Sequence, residues 1–274
     1  MLEKIKYINH LNETVVFGDG VYFVDYNDLR DYEWNVTSVN NKISGFKRGI
    51  VTKSLPVKIK AKSEHEGLIL KNRLFEIFEK DVIANEHGRL YIGDYYMLCF
   101  ITGSSKSDYL LNKSYLNNKI TIHSDYAYWI NEKTTKFNYG LTQKGGTNLD
   151  YNRDFPHDYS SNLLGSTLNN ESFAPCNFII TIYGACNSPY ITISGHTYGI
   201  NADIAANEFI TVNSIDKTII KTGADGKKTN CFNLRYKDSY IFEKIPSGQL
   251  NVSSNTFFKF DITVLDERSE PKWI

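Results

Sequence analysis

The chain has 274 residues, 41% of them hydrophobic and 23% charged, and its 31 basic residues are matched by 31 acidic ones. The length suits two domains, and the composition is that of a globular protein able to bury a real core. Zero net charge excludes a chain devoted to gripping a phosphate backbone, which draws on net positive surface; a local basic patch stays compatible with it.

The opening MLEKIKYINHLNETVVFG scatters charges where a signal peptide needs an unbroken apolar run. The longest apolar run, YYMLCFI at 95–101, is too short to span a bilayer. Synthesis in a cytoplasm, without a signal peptide and without membrane insertion, is therefore the expectation. VVFGDGVYFVDY then offers two apolar runs around Gly18-Asp19-Gly20, a hairpin signal. EWNVTSVNNKISGFKRGIVTKSLPVKIKA continues with two or three strand-like runs, broken by Asn40-Asn41 and by Gly45.

A single strong helix follows. Ser63 and Glu66 make a capping box, and Leu70, Leu74, Ile77 and Phe78 recur at helical spacing over EGLILKNRLFEIFEK. One apolar stripe of this kind packs a helix on a sheet more readily than it recruits a separate partner. Strands return with GRLYIGDYYMLCFITGS at 88–104 and NKITIHSDYAYWI at 118–130. FNYGLTQKGGTNLDYNRDFPHDY then changes texture: it is polar, rich in Gly and Asn, and has no period, which marks a domain boundary. The expected division is a first domain over 1–137, a linker over 138–155 and a second domain over 156–274.

The second half reads as strands throughout. NFIITIYG, YITISG, HTYGIN, EFITVNS, KTIIKTG, KTNCFNL and FFKFDITVL are separated by Asn187-Ser188-Pro189, Ser194-Gly195, Asp225-Gly226 and Pro246-Ser247-Gly248. Short strands with frequent turns point to an antiparallel sandwich or barrel. Alternation of apolar and polar residues in FITVNSIDKTIIKTG means one buried and one wet face. The 19 Tyr and 16 Phe suit such sheets, because flat rings pack on a pleated surface; sugar-binding faces use the same residues.

Chemistry is sparse. GLTQKGGT, 140–147, has Gly146 where a phosphate-binding loop needs its lysine, and no strand-to-helix context surrounds it. His10, His65, His87, His123, His157 and His196 form no close ligand pair, and no cysteine joins them at zinc spacing. Cys99, Cys176, Cys186 and Cys231 contain no C-x-x-C, so buried free thiols are expected. DYNDLRDYE, 25–33, lacks the glycine and ligand spacing of a calcium loop, and no G-x-S-x-G elbow occurs. A carboxylate pair for glycoside hydrolysis is set by fold and not by spacing, so that reading stays open on plentiful acids alone. No catalytic, cofactor-binding or metal-ligating residue is named, no cofactor is expected, and the protein reads as a non-enzyme.

Taken as a set, IYGACNSPYITISGH, INADIAANEFITVNSIDKTI, DGKKTNCFNLRYKDSYIFEKIPSG and FFKFDITVLDERSEPKW resemble the C-terminal half of distal tail proteins. These are the baseplate hubs of long, flexible-tailed phages and prophages of Gram-positive bacteria. YEWNV…NNKISGFKRG…KSLPVKI, LILKNRLFEIFEKDV, GRLYIGDYYMLCFITGSSKSDYL and FNYG…NLDYNRDFPHDY match the same family in the same order. The resemblance implies a mainly β fold: a split β-barrel belt domain with one helix, then a galectin- or carbohydrate-module-like antiparallel β-sandwich. It implies a homohexameric ring in the virion, at the distal end of the tail, with DNA passing through the lumen. Partners would be the tail tube protein and the tail-associated fibre or lysin protein, with a tape measure or receptor-binding protein as further candidates. No sequence-specific nucleic-acid binding is implied. A glycan-binding module touching the host wall through the second domain is the alternative. At the end of the chain, Pro271 would stop ladder pairing and Trp273 would anchor a terminus that docks, within its own subunit in preference to a neighbour.

Overall fold

The computed structural model describes residues 4–18, 20–24, 26–107, 115–138 and 165–273. Two units separate in it, Met1–Asn131 with Glu267–Ile274 and Glu132–Asp266. The chain is mainly β, with one α-helix among the described residues, as expected from the sequence.

The first unit begins with β1 (Ile5–Ile8), β2 (Thr14–Phe17) and β3 (Tyr22–Val24). The hairpin expected at Gly18-Asp19-Gly20 does not form as a ladder. Gly18 and Gly20 take φ values of 100° and 74°, and Gly18 N–H donates to Tyr22 O at 2.8 Å. Yet β2 pairs with β1, while β3 pairs with β6, so the turn hands the chain from one sheet to another. Next come β4 (Asn35–Val39) and β5 (Lys42–Lys47), joined by Asn40 and Asn41, both at positive φ. That is the left-handed two-residue turn that suits a twisted hairpin. Gly45 does not break a strand, contrary to the sequence pattern. It lies inside β5 opposite Thr37, where the register shifts, so it marks a bulge.

β6 (Val51–Lys60) buries Leu55, Val57 and Ile59 on alternate positions. It leads into α1 (Glu64–Ala84), which lies against β8 and β6. β7 (Gly88–Ile92), β8 (Tyr95–Ser107), β9 (Tyr115–Ser124) and β10 (Trp129–Asn138) complete this part. β8 serves two sheets. Tyr95–Cys99 pair with β7, and from Phe100 onward the strand pairs with β9, with a register shift between Ile101 and Gly103. One sheet runs β2–β1–β7–β8 and the other β8–β9–β6–β3, all antiparallel. Between them and α1 sits one core that includes Tyr7, Phe17, Leu55, Phe78, Leu90 and Ile120. This is a split barrel with a helix.

The division between units falls inside β10. The second unit contains β11 (Gly165–Asn170), β12 (Asn177–Tyr183), β13 (Cys186–Asn187), β14 (Tyr190–Ile193), β15 (His196–Gly199) and β16 (Asp203–Ile204). β17 (Phe209–Asn213), β18 (Thr218–Thr222), β19 (Lys228–Asn230), β20 (Gly248–Ser254) and β21 (Lys259–Arg268) follow. One sheet is ordered β19–β18–β17–β12–β21 and the other β11–β20–β14–β15, with antiparallel ladders throughout. Their inner faces share a core of Leu168, Phe178, Ile191, Val212, Val252 and Ile262, the arrangement of a sandwich.

The last eight residues group with the first unit, although the sequence places them at the end of the second domain. Arg30 explains it. Its Nη1 donates to Pro271 O at 2.7 Å, and its guanidinium lies 3.9 Å from the Trp273 ring centroid. Of the linker expected over 138–155, Asn138 ends β10 and the rest lies outside the described residues.

Candidate assembly surfaces

The β4–β5 hairpin pairs with no further strand among the described residues, and no residue from 35 to 50 is buried. Val36, Val39, Ile43, Phe46 and Ile50 are all more than half exposed, at 55%, 61%, 65%, 59% and 73%. A two-stranded ribbon is marginal alone in water, so its root is fixed. There Arg48 sits between two rings, 5.5 Å from the Trp34 centroid and 5.0 Å from that of Tyr128. Burial pulls the Arg48 pKa down, and its Nε and Nη1 have no hydrogen-bond partner among the described residues. Ring faces take the place of oxygen acceptors around this cation. The stretch from 35 to 50 carries Lys42, Lys47 and Arg48 and no acid.

Beside the root lies an open pocket of about 640 Å³ lined by Tyr26, Asn27, Arg30, Asp31, Tyr32, Glu270 and Trp273. Its rings are exposed: Tyr26 88%, Tyr32 54% and Trp273 75%. Arg30, stacked on Trp273, also lies 3.8 Å from Glu270. The loop from 26 to 33 is held from beneath by β6. Ser54 N–H donates to the Asp28 carboxylate at 2.7 Å, and Lys53 Nζ donates to the backbone oxygens of Asp28 and Asp31. Asp28 and Asp31 therefore tie the loop down through protein donors.

α1 presents a second apolar surface. Its inner stripe is the expected one, with Leu74, Ile77 and Phe78 buried and Leu70 half-buried against the core. Its outer side carries Leu68, Ile69, Phe75, Val82 and Ile83, all exposed. A groove of about 340 Å³ runs between the helix and β8, lined by Leu74, Phe75, Phe78, Val82, Ile101 and Leu116 among others.

The residues with chemical potential are absorbed locally. His10 Nδ1 meets the Asp81 carboxylate at 2.5 Å, and His87 Nε2 meets Asp125 at 2.8 Å. His123 Nδ1 pairs with Thr102 Oγ1 at 2.6 Å, and His196 Nε2 donates to Tyr240 O at 2.9 Å. His65 is exposed on α1. His157 and the GLTQKGGT segment lie outside the described residues. All four cysteines are buried and free, and burial pushes the Cys99 and Cys186 thiols up. No cluster of three metal-ligating side chains occurs among the described residues.

One polar cluster escaped the sequence. Asp81, 0% exposed, accepts from the Tyr7 hydroxyl and from His10 N–H at 2.9 Å, besides meeting His10 Nδ1. The signal was present: position 81 falls on the apolar stripe, one turn beyond Ile77 and Phe78. A carboxylate on that stripe must find donors inside.

No described protein family and no curated protein matches the sequence. Solved structures do. A chain of the phage P2 baseplate in its activated conformation with calcium superposes with a TM-score of 0.64 at 12% identity, over 99% of this chain and 100% of that one. The same baseplate with strontium gives 0.63 at 12% identity, over 99% and 100%. The SPP1 Dit protein, described as a paradigm of the hub adsorption apparatus in phages infecting Gram-positive bacteria, gives 0.59 at 8% identity, over 98% and 100%. The chain thus shares its fold with these phage baseplate and hub proteins.

Proposed function

We propose that the chain is a distal tail protein, a structural hub of the tail tip in a long, flexible-tailed phage or prophage of a Gram-positive host. Six copies join through their first units into a ring between the tail tube and the tail-associated fibre or lysin protein. DNA crosses the lumen during ejection, and the protein performs no turnover. Tape measure and receptor-binding proteins are further partners to test. The second unit, a galectin-like sandwich, hangs outside the ring.

The observation that carries this reading is where apolar surface is left uncovered. Of 22 exposed large hydrophobic side chains among the described residues, 17 lie in the first unit and 5 in the second. Large exposed apolar surface marks interaction sites, and repetition of one heterologous contact closes a ring. The end-to-end fold likeness to baseplate proteins supports the same reading. The glycan-binding alternative rests on Phe173, Tyr183, Tyr240 and Phe257 of the second unit, which stand on separate segments.

Native mass spectrometry and negative-stain imaging of the purified chain test the proposal. A six-chain ring is expected. A strictly single-chain particle at every concentration, in high and low salt alike, overturns it.

A further inference from the structure

We propose that the β4–β5 hairpin is an arm whose tip docks in the Tyr26–Tyr32–Trp273 pocket of the next copy. This rests on the hub reading and names its ring contact. The arm cannot fill its own pocket. β5 has six residues, and at roughly 3.3 Å per residue its tip stands about 20 Å from the root. Tyr32 of the pocket lies only two residues before Trp34 of that root. A ribbon paired on both sides of its one bulge and clamped at its root by Arg48 does not turn back over such a distance, and the tip residues Val39 and Ile43 stay 61% and 65% exposed. It needs another copy's pocket.

The two surfaces are complementary in charge and in chemistry. The arm from 35 to 50 is cationic and carries no acid; the pocket sets the carboxylates of Asp31 and Glu270 against the single guanidinium of Arg30. At the arm tip Val39 pairs with Lys42 and Ile43 with Ser38, so a lysine shares one face with exposed Val39 while exposed Ile43 stands on the other. The pocket answers with exposed rings and carboxylates, the environment in which a cation gains both ring and ion-pair attraction. Arg30 on Trp273 is that interaction already made once within the chain. Tip and pocket are different patches, so the contact is heterologous: every copy gives an arm to one neighbour and receives one from the other.

Two measurements test it on the full-length chain. In the first, Ile43→Cys and Tyr32→Cys are carried on separate chains, mixed and oxidised; the native cysteines are buried and stay silent. A covalent dimer that appears only in the mixture is expected. In the second, Lys42→Glu and Asp31→Lys are compared singly and combined. Each single change should raise the concentration for half-assembly on the order of tenfold, and the combination should restore it. Unchanged far-UV circular dichroism checks that the variants fold. A wild-type ring with no cross-link, and with assembly indifferent to Lys42→Glu, overturns the arm and leaves the hub reading intact. A wild-type chain that never assembles and never cross-links overturns both.

Discussion

Asp81 is a fully buried carboxylate of the first unit, and its neighbours show how it is held. Its donors come from β1 and the turn after it, through Tyr7 and His10, while its own backbone lies in α1. Gly88 opens β7 at the same point: a Cβ there would stand 2.1 Å from the Tyr7 hydroxyl oxygen and 2.4 Å from Asp81 Oδ2. Asp81→Ala strands buried donors and should cost about 3 kcal/mol. Gly88→Ala crowds the same hydrogen bond and should cost about 2 kcal/mol. Both act on one node, so urea unfolding of the double variant should show a loss smaller than the sum. Tyr7 adds a pH signature. Burial first, then the Cys99 thiol and the bond to Asp81, raise its pKa well above the ordinary 10.0. The folded phenol therefore keeps its proton where the unfolded one loses it. Its contribution is complete below about pH 10 and declines as the pH rises beyond it. Stability of the wild type above about pH 10 should fall more steeply than that of Tyr7→Phe, by up to about 1.4 kcal/mol per pH unit.

At the scale of one element, α1 separates what local sequence dictates from what it leaves open. Its start was legible because a cap is local chemistry. Ser63 Oγ accepts from Glu66 N–H at 3.2 Å, though the Glu66 carboxylate returns to Lys62 N–H at 2.7 Å and not to Ser63. Its end is set by Asn85 at φ 55°, whose N–H reaches the Asp81 and Val82 carbonyls. Ser63→Ala should lower stability by about 1 kcal/mol. Asn85→Gly should be neutral or slightly stabilising, and Asn85→Val should cost about 1–2 kcal/mol, because a branched side chain resists that backbone conformation. Thermal melts of the three variants should give this order. The outer face was the part that periodicity could not judge. Leu68, Ile69, Phe75, Val82 and Ile83 widen the apolar stripe beyond what one sheet covers. The hairpin arm was illegible for the same reason. Alternation in NVTSV and KISGFK announces strands, but a pattern of period two does not say whether a second layer exists to cover them.

Across the whole chain, the strand-rich halves and their antiparallel sheets were readable, because most core strands bury alternate residues and many of the turns between them carry a Gly or Asn. Strand partners were not. The Gly18–Gly20 turn looks like a hairpin but joins strands of different sheets, since long-range pairing decided the outcome. The terminus follows the same rule: Trp273 was visible as an anchor, while its cationic partner Arg30 stands 243 positions away in the sequence. The two hydrophobic cores share no residue, so each unit should unfold as its own cooperative body. The tryptophans allow a clean test, because Trp34, Trp129 and Trp273 all belong to the first unit. Indole fluorescence then reports that unit alone, whereas far-UV circular dichroism reports both. Leu55 and Ile262 are each 0% exposed, one in each core. Truncation of either to Ala should cost about 2–5 kcal/mol. Leu55→Ala should move the fluorescence midpoint in urea. Ile262→Ala should leave that midpoint in place and shift only the remaining part of the dichroism transition. If Ile262→Ala moved the fluorescence midpoint equally, the two cores would be one cooperative body, and a ring unit that holds its shape independently of the outer sandwich would have to be given up.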